Sequence, residues 1–327
     1  MTMRLLAAFA ALSVVGGASS ALAQSGTLVL YTSQPNADAQ ATVDAFEAAH
    51  PDVEVDWVRD GTTKMMAKLR AEFAAGDPQP DVLLIADTVT MEGLEREGRL
   101  MAHPEAPTDA YDPALYDPEG HYFSTKLITT GIVYNDAAPM EPTSWHDLTA
   151  AAAENQVAMP SPLTSGAAAI HMETLVSHPD FGWDYYEALA ANGIQPQGGN
   201  GGVFRTVASG EKLYGVVVDF LPIREAQAGS PVDFVFPTAG VSAVTEPVAI
   251  LSTARNPEAA KAFVDFLLSR EGQELAASQG YLPAHPEVTP PAGFPPRAEI
   301  ELMPFDPGEA LADDQANKER FVEIFGQ

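Results

Sequence analysis

The sequence predicts an α/β protein of two lobes, joined by two crossover strands, with a cleft between them. After residue 26 the chain reads as a strand, a helix and a second strand, and a polar turn, Ser33–Asn36, follows the first strand. The later strand Asp81–Ala86 (DVLLIA) is continuously apolar, as is typical of a strand covered on both faces of a parallel sheet. About 300 residues follow the first 23, which is enough for two lobes of ordinary domain size.

The first 23 residues have the features of a secretory leader. Arg4 precedes an apolar stretch from Leu5 to Val15, and Ala21-Leu22-Ala23 shows the small-x-small pattern that a signal peptidase recognises. The apolar stretch is too short to span a bilayer, and no later stretch is long and apolar enough. We therefore expect Met1–Ala23 to be a signal peptide and the remaining chain to be exported as a soluble protein.

Composition excludes several classes of function. Asp and Glu number 45 against 17 Lys and Arg, so the formal net charge is −28, and a nucleic-acid partner would need a basic footprint instead. The chain has no cysteine, which excludes thiol nucleophiles, cysteine-ligated zinc and iron–sulfur clusters. The acidic surface favours solubility. An anion site on such a chain must therefore act locally, or its ligand must also carry a positive charge.

The elements of the first lobe are marked by apolar runs and by residues that end helices. The segment Thr62–Ala75 carries Met65, Met66 and Leu69 on one face, and Gly76 is suited to end it. The predicted strands are Thr27–Thr32, Val53–Val58 and Asp81–Ala86, and the predicted helices are Ala37–Ala49, Thr62–Ala75 and Thr90–Glu97.

Two crossovers are expected to join the lobes. We place the first in the strand Tyr122–Tyr134, with Gly131 as its hinge, and the second near Val241–Glu246. The predicted first lobe comprises residues 24–130 and 246–284, and the second comprises residues 131–245 and 285–327. The later predicted helices are Trp145–Ala153, Gly166–Ser177, Trp183–Ala191, Val203–Ser209 and Asn256–Gln279, the later strands are Val157–Met159, Tyr214–Val218, Val232–Phe236 and Val248–Ser252, and a surface segment from Pro283 precedes a short last helix.

The strongest local signal for a binding site is the segment Met159–Ala167, MPSPLTSGA. A strand runs into a turn rich in hydroxyl groups, and Gly166 and Ala167 then open a helix of small residues. The free N–H groups of a first helical turn, together with its positive dipole end, suit an oxyanion. Ser161, Thr164, Ser165, Gly166 and Ala167 are therefore candidate ligands. The alternative is that Thr164 or Ser165 only caps the helix.

Other polar residues stand at the strand ends or helix starts of their own units. In a two-lobe α/β arrangement these points face one cleft. The glycine-rich segment around Asn200 lets backbone approach a ligand, or it is an ordinary flexible connection. Asp219 pairs with a ligand cation, or it caps the following turn. The candidates are Ser33, Thr62, Thr63, Asp87, Thr88, Asn200 and Asp219.

Catalytic patterns are weak. The chain has no Gly-x-Ser-x-Gly elbow, no His-Glu-x-x-His pair and no phosphate loop, and its histidines are scattered. A secreted hydrolase would use Ser165 with His171 as its general base. His171 lies on a small, apolar helix, where a core or cleft-wall histidine is the more common case.

Taken together, the motifs resemble those of bacterial periplasmic solute-binding proteins of ABC importers (type II), in the branch that takes up ferric iron, thiamine and phosphonates. The resemblance implies two lobes that close on a ligand by hinge motion, a periplasmic location, a membrane permease as partner, a monomer, no cofactor and no catalytic activity. The segments that carry it are Leu30–Ser33, Asp81–Leu84, Ser161 with Thr164–Gly166, Gly199-Asn200, Gly215–Asp219 and the late run Ala259–Ser269 with Gly272-Gln273.

The chain departs from the ferric-iron members of this family. Those proteins carry a tyrosine pair after the strand that corresponds to Gly215–Val218, and oxygen ligands of this kind suit a hard metal. Phe220 and Leu221 occupy those positions here, and neither side chain coordinates iron. Pro35 stands at the histidine position and Ala86-Asp87 at the glutamate position. The anion half of that site is matched by Thr164, Ser165, Gly166 and Asn200.

The whole pattern looks most like that of 2-aminoethylphosphonate-binding proteins. In this hypothesis the segment around Ser165 holds the phosphonate, Asp87 or Asp219 pairs with the ammonium group, and Tyr31 and Phe220 form apolar walls. Ser33, Thr63, Thr88 and Asn200 complete the polar shell. The alternatives are a ferric or iron-chelate ligand, another oxyanion such as a sugar phosphate, a carboxylate or a polyamine, a sensory receptor instead of an importer, and, more remotely, a hydrolase.

Overall fold

The computed structural model describes residues 25–326, and the expected signal peptide therefore lies outside the described residues. The first sheet has the order β2-β1-β3-β11-β4, and β5 also pairs with β11. β1 is parallel to β2 and β3, so the carboxyl ends of these three strands share one edge. The strands of this sheet are β1 (Gly26–Thr32), β2 (Val53–Arg59), β3 (Val82–Leu84), β4 (Leu100–Met101), β5 (Tyr122–Ser124) and β11 (Pro247–Leu251).

The second sheet has the order β10-β6-β8-β7, with β9 and β12 also paired to β6. β6 is antiparallel to β8 and β10, and β7 is parallel to β8. Together the two sheets confirm the predicted mixed α/β architecture. The strands are β6 (Lys126–Asn135), β7 (Val157–Ala158), β8 (Tyr214–Val218), β9 (Val232–Val235), β10 (Ser242–Val244) and β12 (Leu282–Pro283).

Helices cover both sheets, and those that follow parallel strands begin at the shared strand edge. The helices are α1 (Asn36–Ala49), α2 (Thr62–Ala75), α3 (Thr88–Arg96), α4 (Gly166–Ser177), α5 (Gly182–Ala191), α6 (Asn200–Ala208), α7 (Phe220–Gln227), α8 (Pro257–Leu268), α9 (Arg270–Ser278) and α10 (Pro307–Phe325). Short 3-10 turns lie at Pro113–Leu115, Trp145–Thr149, Ala151–Ala153 and Arg297–Glu299. In residues 25–326, no helix combines the length and hydropathy of a membrane span.

The structure differs from the prediction in four elements. Of the glycine-rich segment predicted as a loop, only Gly198 and Gly199 lie outside a helix, because α6 already begins at Asn200. The predicted helix Asn256–Gln279 is divided at Ser269, whose extended backbone ends α8 and whose hydroxyl accepts a hydrogen bond from Gly272 N at the start of α9. α7 was not predicted at all. The last helix, expected to be short, is α10 with 19 residues.

Consecutive strands pass from one sheet to the other at Thr125 and again at Thr245–Glu246, and the chain returns to the second sheet a third time through α8 and α9, which lead from β11 to β12. The two crossovers touch, since the N–H groups of Thr125 and Lys126 both donate to the Thr245 carbonyl and the Thr125 hydroxyl donates to the Glu246 carbonyl. Gly131 lies further along, inside β6, where a Cβ atom would meet Phe234 and Val235 O at 2.5 Å. Gly131 is therefore a packing glycine and not a hinge.

A buried ion pair joins the two crossovers. Lys126 Nζ lies 2.6 Å from Glu246 Oε2, and both side chains are 3% exposed. Gln34 Nε2 donates to the same carboxylate oxygen at 3.2 Å, and Lys126 Nζ lies 4.1 Å from the centre of the Tyr281 ring. Glu246 has φ +39°, a strained value for a residue with a side chain. The ion pair thus lies at a position of strained backbone.

Helix α10 packs on both lobes. Near its start it contacts α3, where Leu311 lies against Gly93. Towards its end, Phe321 packs against Tyr186 of α5, and Asn317 Nδ2 donates to Glu173 Oε2 of α4 at 2.5 Å. The C-terminal segment was predicted to belong to the second lobe alone, and α10 instead bridges α3 with α4 and α5.

Replacing Lys126 tests the buried pair. Lys126→Met leaves the Glu246 carboxylate buried with only the Gln34 amide as partner. Loss of one member of a buried pair costs about 3–5 kcal/mol, so we expect urea denaturation to show a loss of that order. The double variant Lys126→Met/Glu246→Gln removes both charges and should lose less. A double variant no more stable than Lys126→Met would contradict this account.

Replacing Glu173 tests the contact with α10. Burial raises the pKa of Glu173 from 4.5 to about 7. Between these pH values the folded protein keeps a proton that the unfolded chain has lost, so stability falls as pH rises through this window. Glu173→Gln removes this dependence and keeps an acceptor for Asn317. We therefore expect the melting temperature of Glu173→Gln, relative to wild type, to rise from pH 5 to pH 8.

The matched control for this prediction is Glu319→Gln, which removes an exposed carboxylate on the same helix α10. Its melting temperature relative to wild type should stay constant over the same pH range. If both variants gave the same pH dependence, burial of Glu173 would not be the cause.

Candidate functional site

A cleft of about 540 Å³ lies between the two sheets, at the carboxyl ends of the parallel strands. Both lobes and both crossovers contribute to its walls. From the first lobe come Ser33, Pro35, Asn36, Arg59, Asp60, Gly61, Thr62, Lys64 and Ala86; from the second come Thr164, Ser165, Gly166, Ala167, Gly199, Asn200, Gly201, Gly202, Arg205, Val218, Phe220 and Leu221; from the crossover region come Ile128, Glu246 and Tyr281.

Several helices point their N-termini at this cleft. α1, α2 and α6 begin after Pro35, Gly61 and Gly199, and none of these three N-caps forms a side-chain capping bond. The first N–H groups of a helix have no partner within it, and they carry the positive end of the helix dipole. Three helix starts that lack a side-chain cap therefore offer donors to a ligand in the cleft.

Ser165 is positioned as a hydrogen-bond donor at the start of α4. Its Oγ accepts from Ala168 N and from Asn200 Nδ2, at 3.3 and 3.2 Å. A serine hydroxyl has two acceptor lone pairs and one proton, so both acceptor sites are used and the proton remains for the cleft. Asn200 Oδ1 in turn accepts from Val218 N, which ties α4, α6 and β8 together.

Ser33 supplies a similar hydroxyl from the opposite lobe. Its Oγ accepts from Ala86 N at 2.9 Å, and its N–H donates to Leu84 O. Both of these bonds hold the turn after β1 against the end of β3. The Ser33 hydroxyl proton can then be donated to a ligand, as for Ser165.

Three basic side chains line the cleft, and none of them was predicted from the sequence. Most of the lysines and arginines in the described part of the chain form ion pairs with carboxylates. Within residues 25–326, no such pair involves Arg59, Lys64 or Arg205. Arg59 Nε donates instead to the Gln34 carbonyl at 2.9 Å. Lys64 could have been noticed, because a cation in the first turn of a helix opposes the helix dipole.

Two of the predicted hydroxyl ligands are already engaged within the protein. Thr164 Oγ1 donates to Gly198 O or Ser161 O, at 2.5 and 3.1 Å, so it lines the cleft without a spare proton. Ser161 is buried, accepts from Leu163 N and does not line the cleft. Of the five candidate ligands in the turn Met159–Ala167, Ser165, Gly166 and Ala167 therefore remain as possible donors to a ligand in the cleft.

Asp219 does not line the cleft. It is 1% exposed, its Oδ2 accepts from both the N–H and the hydroxyl of Thr129, and its Oδ1 accepts from Phe220 N. Burial raises the pKa of Asp219 to about 7, although these hydrogen bonds oppose the shift. Of the two alternatives, local capping describes its position, and the ammonium role has no support from its contacts.

Asp87 and Thr88 lie at the start of α3 and are also absent from the cleft wall. Asp87 caps that helix by accepting from Thr90 N at 3.0 Å and from the Thr90 hydroxyl. Burial raises the pKa of the Asp87 carboxyl. Their neighbour Ala86 reaches the cleft in their place.

Tyr31 and Thr63 point away from the cleft. Tyr31 lies on the face of β1 that packs against α2, where its hydroxyl donates to Glu72 Oε1 at 2.8 Å. Thr62 lines the cleft but Thr63 does not, because successive residues on a helix point about 100° apart. In both cases the sequence identified the correct element and the wrong face.

The remaining cleft wall combines two acids with apolar side chains. Asp60 is exposed, whereas Glu246 is committed to Lys126 and Gln34. Phe220 and Leu221 lie in the wall at the positions where ferric-iron proteins carry tyrosines. Phe220 also packs on Tyr281, with ring centres 4.3 Å apart. The cleft wall thus has few oxygen ligands for a metal ion.

A group of residues with metal-ligand chemistry exists elsewhere. In residues 25–326, Glu95, Glu119 and His121 bring one ligand atom each within 4.8 Å of one another, and none of them lines the cleft. The hydrolase alternative also lacks its base, because His171 is buried, bonds to Ser242 Oγ and lies outside the cleft wall. Burial lowers the pKa of His171 to about 3.

Sequence comparisons identify the family of the chain and two of its relatives. The profile of the family described as bacterial extracellular solute-binding protein matches residues 31–274. An uncharacterized protein of Haemophilus influenzae is 29% identical over 290 residues, covering 83% of this chain and 80% of that protein. The probable ABC transporter periplasmic-binding protein y4fP of Sinorhizobium fredii is 27% identical over 322 residues, covering 93% and 87%.

Solved structures show the same fold. The periplasmic binding protein AfuA of Actinobacillus pleuropneumoniae, with exogenous fructose-6-phosphate bound, superposes with a TM-score of 0.83 at 25% identity, covering 92% of this chain and 98% of that chain. Iron-bound HitA of Pseudomonas aeruginosa superposes with a TM-score of 0.77 at 21% identity, covering 91% and 99%. At this identity, the similarity to HitA shows a shared fold and nothing about the ligand.

The contacts of Asp219 lead to a test. In Asp219→Asn an amide N–H group replaces one oxygen that now accepts a hydrogen bond from Thr129 or Phe220. We expect a loss of about 1–3 kcal/mol in the free energy of unfolding, measured by urea denaturation, and no change in the preference between aminated and unaminated ligands. Asp60→Asn, on the exposed cleft wall, should leave stability unchanged. A selective loss of aminated ligands in Asp219→Asn would restore its predicted role.

Proposed function

Because this chain belongs to the bacterial extracellular solute-binding protein family, we propose that it captures a small phosphorylated solute in the periplasm and delivers it to the membrane permease of an ABC importer. The relative y4fP carries the name of such a periplasmic protein, at 27% identity over most of both chains. Capture would proceed by closure of the two lobes around the cleft. The protein has no catalytic role in this proposal and acts as a monomer.

The observation that carries this proposal is the positive character of the cleft wall in a chain of net charge −28. Arg59, Lys64 and Arg205 lie there without carboxylate partners among the described residues, next to helix N-termini that no side chain caps. Long-range attraction of an anion to such an acidic protein is weak, so affinity has to arise from contacts inside the cleft.

A phosphoryl group suits this wall better than a carboxylate does. At neutral pH a phosphate monoester carries close to two negative charges and three acceptor oxygens. The cleft offers donors on opposite sides, namely the Ser33 hydroxyl from the first lobe and the Ser165 hydroxyl with the N–H groups of Gly166 and Ala167 from the second. Charge-assisted hydrogen bonds of this kind are about twice as strong as neutral ones.

The rest of the ligand distinguishes two candidates. A sugar phosphate is supported by the likeness to AfuA, whose structure contains fructose-6-phosphate. 2-Aminoethylphosphonate is supported by a different feature, since the carboxylates of Asp60 and Glu246 lie in the same wall. In that case Asp60, which is exposed and not committed to a lysine, takes the ammonium role first assigned to Asp87 or Asp219.

Calorimetric titration of refolded, ligand-free protein from Gln24 onward tests the proposal. The probes are fructose 6-phosphate, 2-aminoethylphosphonate, inorganic phosphate and ferric citrate. We expect heat from at least one of the two organic phosphorus compounds, and a weaker or absent response to ferric citrate. Binding of ferric citrate alone would overturn the proposal.

Charge-removing variants test the cleft assignment. Lys64→Met and Arg205→Met should each weaken binding of the phosphorylated probe by about tenfold or more, because a hydrogen bond to a charged group contributes about 1.5–3 kcal/mol. The matched control is Lys212→Met, since Lys212 also lacks a carboxylate partner among residues 25–326 but donates to Asn155 O outside the cleft. Equal losses in all three variants would indicate a general charge effect instead of a site.

A further inference from the structure

Two glycines lie where the lobes touch across the cleft. A Cβ atom added to Gly61, at the start of α2, would lie 2.5 Å from the carbonyl oxygen of Thr164 in the second lobe. A Cβ atom added to Gly166, at the start of α4, would lie 2.4 Å from the carbonyl oxygen of Ala86 in the first lobe. Each lobe therefore presents a glycine to the backbone of the other.

Backbone conformation does not explain these glycines. Gly61 has φ −62° and ψ 145°, which any residue adopts without strain. Gly166 occupies the first position of a regular α-helix, where other residues are equally suited. What a side chain would disturb at either position is the approach of the opposite lobe. A contact below 3.0 Å cannot form without a backbone shift, because the opposing atoms are carbonyl oxygens and not flexible side chains.

The groups brought together by this approach carry more positive than negative charge. The N-termini of α2 and α4 are both positive dipole ends, Arg59 and Lys64 lie beside the first, and Arg205 faces the same cleft from α6. Asp60 offsets part of this charge, since its Oδ1 accepts from Gly61 N at 2.7 Å, and Asp87 lies close to Gly166 with its carboxyl bonded to Thr90. The remaining positive charge opposes closure of an empty cleft and favours closure when an anion lies between the lobes.

We infer that Gly61 and Gly166 contact the opposite lobe only when the lobes close on an anionic ligand. The absence of a side chain at these two positions then sets how far the protein can close. This inference rests on the proposed function for the nature of the ligand. The Gly61–Thr164 and Gly166–Ala86 contacts belong to the closed protein. An added methyl group at Gly61 holds the lobes apart without damaging either lobe.

The experiment measures the distance between the lobes. Since the chain has no cysteine, Asp56→Cys in β2 and Asp184→Cys in α5 place one spin label on each lobe, both at exposed positions outside the cleft. Pulsed electron resonance then gives the distance distribution with and without fructose 6-phosphate or 2-aminoethylphosphonate. The variants are Gly61→Ala and, as matched control, Ala67→Ser. Ala67→Ser also adds one heavy atom to α2, but at an exposed position outside the cleft wall.

We expect the labelled wild-type and Ala67→Ser proteins to reach the short distance of this structure when a probe is bound. In Gly61→Ala the population at that distance should fall by about tenfold or more, and the apparent affinity should weaken by a similar factor. Melting of ligand-free Gly61→Ala, followed by circular dichroism, should match that of Ala67→Ser, which shows that both lobes fold.

Two results would overturn the inference. One is a Gly61→Ala protein that reaches the short distance as fully as wild type does. The other is a wild-type protein that binds a probe in calorimetry and yet never reaches the short distance with that probe. The proposed function fails separately: if ferric citrate alone gave heat in calorimetry, the distance measurement with ferric citrate, which is also an anion, would still report whether Gly61 limits closure.

Discussion

The rest of the structure depends on the buried ion pair between Lys126 and Glu246. Each residue belongs to one of the two crossovers, and the pair lies 2.6 Å apart beneath the cleft. A charge buried at this depth is tolerated only with a partner, so the two crossovers are held side by side. Because they are, the carboxyl ends of the parallel strands in both sheets face the same space, and the helices that follow these strands direct their N-termini into it.

In the proposed function, an acidic protein recognises an anion through groups confined to its cleft. The positive elements are local and arise from backbone as well as from side chains. They are helix starts without a capping side chain, the hydroxyls of Ser33 and Ser165, and three cations that have no carboxylate partner within residues 25–326. The carboxylates Asp87 and Asp219, by contrast, are turned inward to cap helices and to hold the backbone of Thr129. Among the described residues, Asp60 and Glu246 are the carboxylates that line the cleft, and Glu246 is paired with Lys126.

Much of the fold was predictable from local pattern. The bounds of α2 and β8 agree with the sequence prediction, because a helix with one apolar face or a continuous apolar strand is specified by its own residues. The break at Ser269 and the helix α7 were missed. Ser269 ends one helix and caps the next within an unbroken periodic pattern, and α7 contains Pro222 near its start, which suggests a turn.

By itself the sequence determined the α/β class and the family resemblance, and it indicated several residues that line the cleft. Ser33, Ser165, Gly166 and Asn200 are among them, since each stands at a strand end or helix start that local pattern reveals. Only the tertiary structure decided which face of each element the cleft receives. Tyr31, Thr63 and Asp219 stand beside cleft residues in sequence yet point elsewhere. Arg59 and Lys64 of the first lobe come close to Arg205 of the second only because the two lobes lie on opposite sides of one cleft. The reason is physical: side-chain direction and charge pairing depend on neighbours distant in sequence, which no local pattern specifies.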